Sequence, residues 1–220
     1  MSRVPRIVAA GFPHHIVQRG NRRQHTFFCE QDYFNYLEIM AERCGRYGVE
    51  IWAYCLMPNH VHLIAVPGTS SGLHKAIGEA HKKYTEKINH REGWRGHLWQ
   101  GRFSSYVLDE AYLLVAVRYI ELNPIKGKIV DSPEKYPWSS ASAHKAGRDD
   151  RLVKVQPILS RIDSWQDYIR VPVPQKALRD LKRHERTGRP LGSIGFILNL
   201  EQPLVRKITV IKTTGLESNL

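Results

Sequence analysis

Pro58-Asn59-His60-Val61-His62-Leu63-Ile64-Ala65-Val66-Pro67 is the stretch from which this chain is best read. From His60 to Val66 it is an apolar run that suits a strand, ended by Pro67-Gly68. Side chains two apart on a strand point to the same side, so His60 and His62 stand together. Two neutral imidazoles side by side are half of a metal site, suited to Mn, Zn, Fe or Ni, and to Mg or Mn with oxygen co-ligands. Taken alone, the pair is equally well two polar residues on an exposed strand face.

The surrounding pattern extends this strand into a domain. Residues 49–57 are β-rich and lead through Met57-Pro58-Asn59 into the histidine strand, giving a strand pair. Upstream, 14–18 reads as a short strand followed by a basic turn, Arg19-Gly20-Asn21-Arg22-Arg23. Helical spacing runs from Asp32 to about Tyr47, with Tyr33, Tyr36, Leu37, Met40 and Cys44 on one face and Gly48 as a stop. Downstream, Ser70 or Ser71 is placed to cap a helix over about 72–90, with Leu73, Ile77, Ala80, Tyr84 and Ile88 facing inward. Phe103 to Leu108 suits a strand. Asp109 is a good N-cap for a third helix, expected to end at Asn123 because Pro124 follows. The order strand, helix, strand pair, helix, strand, helix implies an α+β domain with a mainly antiparallel sheet and helices packed on it. Residues 131–160 are loop-rich, and 161–220 reads as a small helical extension. In it Ala177, Leu178 and Leu181 share a face, Gly188-Arg189-Pro190 is a break, and Ser193 is a possible second cap.

Composition narrows the partner. The 220 residues carry 33 Lys+Arg against 21 Asp+Glu, a net charge of +12, which favours nucleic acid or an anionic surface. The charge is spread along the chain, +5 over residues 1–140 and +7 over 141–220, so no basic tail is appended to a neutral domain. Three cysteines, Cys29, Cys44 and Cys55, without CxxC spacing argue against a disulfide framework and are expected to be buried thiols in a reducing compartment. Arg3 and Arg6 precede an apolar run broken by Gly11, Pro13 and His14, so no signal peptide is expected, and no stretch is long enough to span a membrane.

A second constellation lies on the third helix. Leu113, Val117 and Ile120 form a core stripe, and Tyr112, Ala116, Tyr119 and Asn123 a neighbouring one. Tyr119 and Asn123 are one turn apart, so a phenol and an amide project together. The phenol is a candidate nucleophile and the amide oxygen a candidate hard ligand. The same residues also suit a half-buried core aromatic and a helix-terminal asparagine.

Taken in order, five segments resemble the single-tyrosine HUH transposases, most closely the REP-associated tyrosine transposases. These segments are Gln18-Arg19-Gly20-Asn21-Arg22, Pro58-Asn59-His60-Val61-His62, Leu98-Trp99-Gln100-Gly101-Arg102-Phe103, Arg118-Tyr119-Ile120-Glu121-Leu122-Asn123-Pro124 and Tyr136-Pro137-Trp138-Ser139-Ser140. The resemblance covers about residues 5–145. It implies a ferredoxin-like catalytic domain over 1–145, followed by a basic helical extension over 146–220 able to dock DNA. It also implies that His60, His62 and Asn123 ligate a divalent metal, Mg²⁺ or Mn²⁺, and that Tyr119 is the nucleophile, with Tyr112 a poor substitute. The substrate would be single-stranded DNA carrying a hairpin, cut to leave a 5′-phosphotyrosine and a free 3′-OH. The protein would act in a bacterial cytoplasm at the nucleoid, as a monomer or homodimer.

A single strand is held by cationic grooves with aromatic stacking platforms. The candidates are Arg19, Asn21, Arg22 and Arg23 at the first turn, Lys82 and Lys83 on the second helix, Arg102 beside Trp94 and Trp99, and Arg183, Arg186 and Arg189 in the extension. Two other classes stand against this reading. One is a DNA- or RNA-binding regulator that keeps the fold without turnover. The other is a zinc deaminase, which would need a PCxxC pair that the chain lacks.

Overall fold

The computed structural model describes residues 6–204, with side chains through residue 200; Arg3 and the end of the extension, 205–220, lie outside the described residues. The chain runs β1 (His14–Arg19), α1 (Glu30–Arg46), β2 (Val49–Met57), β3 (His60–Pro67), α2 (Gly72–Glu92), β4 (Ser104–Val107) and α3 (Glu110–Glu121). The four strands form one antiparallel sheet in the order β2-β3-β1-β4. This is the interleaved order of two split βαβ units, the ferredoxin-like arrangement expected. In the register, Val17 and Cys55 flank His62, and Arg19 and Met57 flank His60.

α1 and α2 pack on each other and on the sheet, and α3 packs across β2 and β3 on the face that carries His62. The stripe Leu73, Ile77, Ala80, Tyr84 and Ile88 of α2 is fully buried, as its spacing requires. Each large side chain so buried is worth about 1.5–3 kcal/mol. Leu113, Val117 and Ile120 bury the inner side of α3 in the same way.

After α3 come α4 (Asn123–Lys126), α5 (Ala141–Ala146), α6 (Gln156–Leu159), α7 (Trp165–Arg170), α8 (Gln175–Thr187) and α9 (Ile194–Leu204). These later segments cover both edges of the sheet. Trp138, Ser140 and Lys154 bond to the free backbone of β2, and Leu191 bonds to Val107 and Asp109 at the end of β4. Exposed edges invite pairing with other chains, so covering them protects the sheet. Leu152, Val153, Ile158, Trp165, Ala177, Leu181 and Leu191 belong to the same buried cluster as the strands.

Local details differ from expectation in four places. α3 ends at Glu121, not Asn123. Leu122 stays helical, and Pro124 begins the short α4 instead of stopping the chain, since its missing N–H is no loss in a first turn. Ser71 precedes α2 with helical torsions and makes no side-chain capping bond, so the serine cap is not formed. Cys29 is exposed at the start of α1, while Cys44 and Cys55 are buried. Trp99 is buried among Tyr36, His81 and Tyr84, leaving Trp94 exposed at 45% as the only tryptophan of that segment with a free face.

The Asp109 cap does form, and it does more than start α3. Its Oδ1 accepts from Tyr112 N at 2.9 Å and its Oδ2 from Ser193 N at 2.8 Å, while Ser193 Oγ accepts from Phe196 N to begin α9. Asp109→Ala is expected to cost about 1–2 kcal/mol, read as a lower urea midpoint with unchanged slope. No helix among the described residues is long and apolar enough to cross a membrane.

Candidate active site

β3 holds His60 and His62 on one side, with ring centroids 5.0 Å apart and planes nearly perpendicular. α3 brings Tyr119 over them, its ring 5.6 Å from that of His62. Residues nearly sixty positions apart therefore meet because the helix following β4 returns across the middle of the sheet. The exit of that helix is anchored from its other side. Glu121, fully buried two residues after Tyr119, accepts from Ser140 Oγ and His144 Nδ1 through Oε1, both at 2.6 Å, and from Trp165 Nε1 through Oε2 at 3.2 Å.

Each histidine is held through Nδ1. His60 Nδ1 donates to Asn59 Oδ1 at 2.6 Å, and Asn59 Nδ2 in turn donates to Arg23 O. The basic turn thus clasps the residue that orients His60. Gly20 makes that clasp possible: a Cβ there would lie 2.3 Å from Gln24 O and 3.3 Å from Asn59 O. His62 Nδ1 shares a hydrogen bond with His15 Nε2 at 3.0 Å, and His15 Nδ1 shares one with the Tyr106 hydroxyl at 2.6 Å. His62 Nε2 is buried and has no hydrogen-bond partner.

The electrostatics suit neutral ligands. Burial, then the Arg19 charge, takes His60 down to about 4. Burial, then His15 and His60, hold His62 well below the ordinary imidazole range. Both are therefore neutral near pH 7, the form a metal needs. Tyr119 is pushed above the ordinary phenol range, first by burial and then by Glu185, while Arg19 pulls it back. Lys126 Nζ lies 4.5 Å from the centre of the Tyr119 ring.

Among the described residues no group of three or more His, Cys, Asp or Glu is placed to hold a metal. A cation here would rest on the two imidazoles and an oxygen donor such as Asn123. Asn123 is largely buried, and its Nδ2 donates to Tyr119 O at 2.9 Å and Ile120 O at 3.4 Å, which leaves Oδ1 as the end available to a ligand. It makes no hydrogen bond to either histidine. The unpartnered Nε2 of His62, with both Nδ1 atoms occupied, matches the arrangement in which an outer partner orients a metal-binding imidazole. The residues present fit a divalent ion.

The basic candidates do not form one patch. Asn21, Lys82 and Arg102 line a cleft of about 720 Å³ between α2 and the 96–102 loop, together with His97 and Gln100. Arg19 stands beside His60 at the end of β1, and Arg22 and Arg23 are exposed in the turn with left-handed torsions. Lys83 points elsewhere, paired with Glu42 of α1 at 2.9 Å. Arg183 and Arg186 are exposed on α8, and Arg189 is half-buried just beyond it. α8 packs against β4 and α3 and carries Glu185, whose charge is felt by Tyr119 and Tyr106.

Sequence reasoning missed His15, Tyr106, Lys126 and Glu185. The signal for His15 was its position: it lies on the same face of β1 as Val17, which pairs with His62. Only the strand register makes that visible. Glu185 lies 66 residues after Tyr119, and no spacing rule connects them.

Comparison with known proteins gives the family. The family model described as "Transposase IS200 like" matches residues 10–123, from just before β1 to the asparagine of α4. A Haemophilus influenzae protein described as a REP-associated tyrosine transposase is 26% identical over 121 residues, covering 50% of this chain and 69% of its own. A solved structure of a REP-associated tyrosine transposase bound to a REP hairpin superposes with a TM-score of 0.54 at 22% identity, covering 69% of this chain and 90% of that one. The matched region spans more than half of the chain and contains the histidine strand, the tyrosine helix and the turn that clasps Asn59, and on that match the chain belongs to the IS200-like transposase family.

Proposed function

We propose that this transposase-family protein is a metal-dependent single-stranded DNA endonuclease and strand transferase that works through a covalent link to Tyr119. The observation that carries the reading is the Tyr119 ring 5.6 Å from His62, whose buried Nε2 has no hydrogen-bond partner.

His60 and His62 would hold Mg²⁺ or Mn²⁺ through Nε2, with Asn123 Oδ1 as a third donor. When bound, a divalent ion polarises a phosphate oxygen and supports the departing 3′ oxygen. Tyr119 Oη attacks phosphorus, the Oη–P bond forms, the P–O3′ bond breaks, and the strand leaves with a free 3′-OH. The phenol proton must be lost on the way. Burial and Glu185 oppose that loss and Arg19 favours it, so Tyr119 rests as the neutral phenol. A phosphotyrosine ester keeps the bond energy of the phosphodiester, and a new 3′-OH can reverse the step without ATP. That is the requirement of strand transfer, as opposed to hydrolysis.

The DNA partner is proposed to be a hairpin, the kind of DNA bound in the solved relative named above, joined here to a single-stranded flank. Asn21, Lys82 and Arg102 would take the flank in their cleft, and Arg22, Arg23 and the exposed face of Trp94 would extend it. Arg183, Arg186 and Arg189 would add phosphate contacts from the extension.

The test is incubation with end-labelled hairpin DNA and Mn²⁺, followed by a denaturing gel. A protease-sensitive band of retarded label is expected. DNA that is bound but never becomes covalently attached would favour the other reading, a binding protein that keeps the fold without turnover.

A further inference from the structure

His15 and Tyr106 have no part in the proposed chemistry, yet they are the only described partners of His62 Nδ1 and of one another through their ring polar atoms. His15 is 1% exposed, His62 1% and Tyr106 0%. The strand register explains the contact: His15 lies two residues before Val17 on the same face of β1, Val17 opposes His62, and His15 itself opposes Tyr106 on β4. Three polar rings are thus lined up on one face of the sheet, across β3, β1 and β4. The ring centroids of His15 lie 5.2 Å from those of both His62 and Tyr106.

We propose that His15 and Tyr106 are positioning residues that fix the tautomer and ring orientation of His62, so that its Nε2 presents a lone pair. The proposal rests on the reading of His62 as a metal ligand. The proton count works as follows. A neutral His62 with an open Nε2 carries its proton on Nδ1 and donates it to His15 Nε2. His15 then carries its proton on Nδ1 and donates it to the Tyr106 oxygen. If the chain ran the other way, Tyr106 would donate to His15 and His15 to His62. His62 would then hold its proton on Nε2, and such a group could not ligate a metal. The direction of two hydrogen bonds therefore decides whether His62 faces its neighbours as an acceptor or as a donor.

The chain is more than interior packing because of where it ends. Its last member, His62, lies 5.0 Å from His60 and 5.6 Å from Tyr119 between ring centroids. His60 is held by an outer partner of its own, Asn59 Oδ1. Both histidines thus have an occupied Nδ1, one from the strand next door and one from the turn, and share a common way of freeing Nε2. Outer partners of this kind typically change metal affinity by 10–100-fold when removed.

The experiment has two arms on the full chain. In the first, nitrogen-15 NMR of the metal-free protein reads the His62 tautomer directly. The Nδ1–H form is expected, and an Nε2–H form would overturn the proposal whatever the metal does. In the second, Mn²⁺ binding is measured by electron paramagnetic resonance for the wild type, His15→Phe, His15→Gln and Tyr106→Phe, with folding checked by urea denaturation. His15→Phe keeps a ring but removes the acceptor, and should weaken Mn²⁺ about 10–100-fold. His15→Gln restores an acceptor oxygen and should recover most of the affinity, and Tyr106→Phe should give an intermediate loss. Equal Kd values in wild type and His15→Phe, with His62→Ala still losing Mn²⁺, would sink the positioning role alone. If His62→Ala also binds Mn²⁺ normally, the metal-ligand reading has failed instead. Should His15→Phe fail to fold, Tyr106→Phe, which removes one oxygen, carries the same comparison.

Discussion

Tyr119→Phe is expected to abolish the covalent protein–DNA adduct altogether while leaving DNA binding and the fold intact. The substitution removes one oxygen from a side chain whose hydroxyl makes no hydrogen bond among the described residues, so no buried partner is orphaned. The ring still packs beside His62 and His15 and beneath Lys126. Stability should change by no more than about 0.5 kcal/mol. Turnover should vanish, because a covalent route has no substitute when the attacking atom is gone. Tyr112, the other phenol on that helix, cannot stand in: its hydroxyl donates to Asp180 Oδ2 at 2.9 Å, and burial together with Asp180 drives it well above the ordinary phenol range. The measurement is the denaturing gel with matched hairpin affinity by titration. An adduct that persists in Tyr119→Phe assigns the nucleophile to another residue.

The second large effect is on stability. The fold is expected to weaken steeply as pH falls from about 6.5 toward 4. Burial holds His14 down to about 4 and both His15 and His81 down to about 3, against an unfolded value near 6.5. A histidine with a depressed folded value takes up its proton more readily in the unfolded chain. Stability is therefore highest above the unfolded value and falls as pH drops toward the folded one. Each such group contributes up to about 1.4 kcal/mol per pH unit in that window, and three together about 4 kcal/mol. Domains of this kind hold only about 5–15 kcal/mol, so cooperative unfolding is expected before pH 4 is reached. His60 itself protonates only at about 4, so loss of activity in acid should follow loss of structure. Urea midpoints at pH 7.5, 6.5, 5.5 and 4.5 test this. A flat profile contradicts it, and His81→Phe, which removes the ring nitrogen bonded to Tyr36 at 2.9 Å, should shallow the slope.

The two predictions depend on different kinds of information. The spacing of α3 and its cap at Asp109 place Tyr119 one turn from Asn123 in the sequence, and the family resemblance supplies its role as nucleophile. The depressed histidines could not be chosen in this way. His14, His15 and His81 look like ordinary polar residues in the sequence, and only enclosure by elements far away along the chain removes their water.

The exact ends of elements were less legible than their existence. The Pro124 rule places a stop at Asn123, yet the backbone stays helical through Leu122 and simply starts a new turn. A proline restrains its own torsion and lacks one donor, and neither property forbids a first helical turn. Trp99 reads in the sequence as a stacking platform because it and Trp94 lie beside Arg102 in a basic segment. It became core because that segment folds onto α2, where the indole nitrogen donates to His81 O.

By itself, the sequence determined the sheet-and-helix order, the shared side of His60 and His62, and the pairing of Tyr119 with Asn123 one turn apart. All of these follow from periods of two and of about 3.6, which are properties of neighbouring residues. Only the tertiary structure decided that His15 and Tyr106 stand behind His62, that Asn59 is clasped by the Gly20 turn, and that α8 brings Glu185 toward Tyr119. These depend on strand register and on packing between segments that no local period relates, so they exist only once the sheet has closed and the later helices have covered its edges.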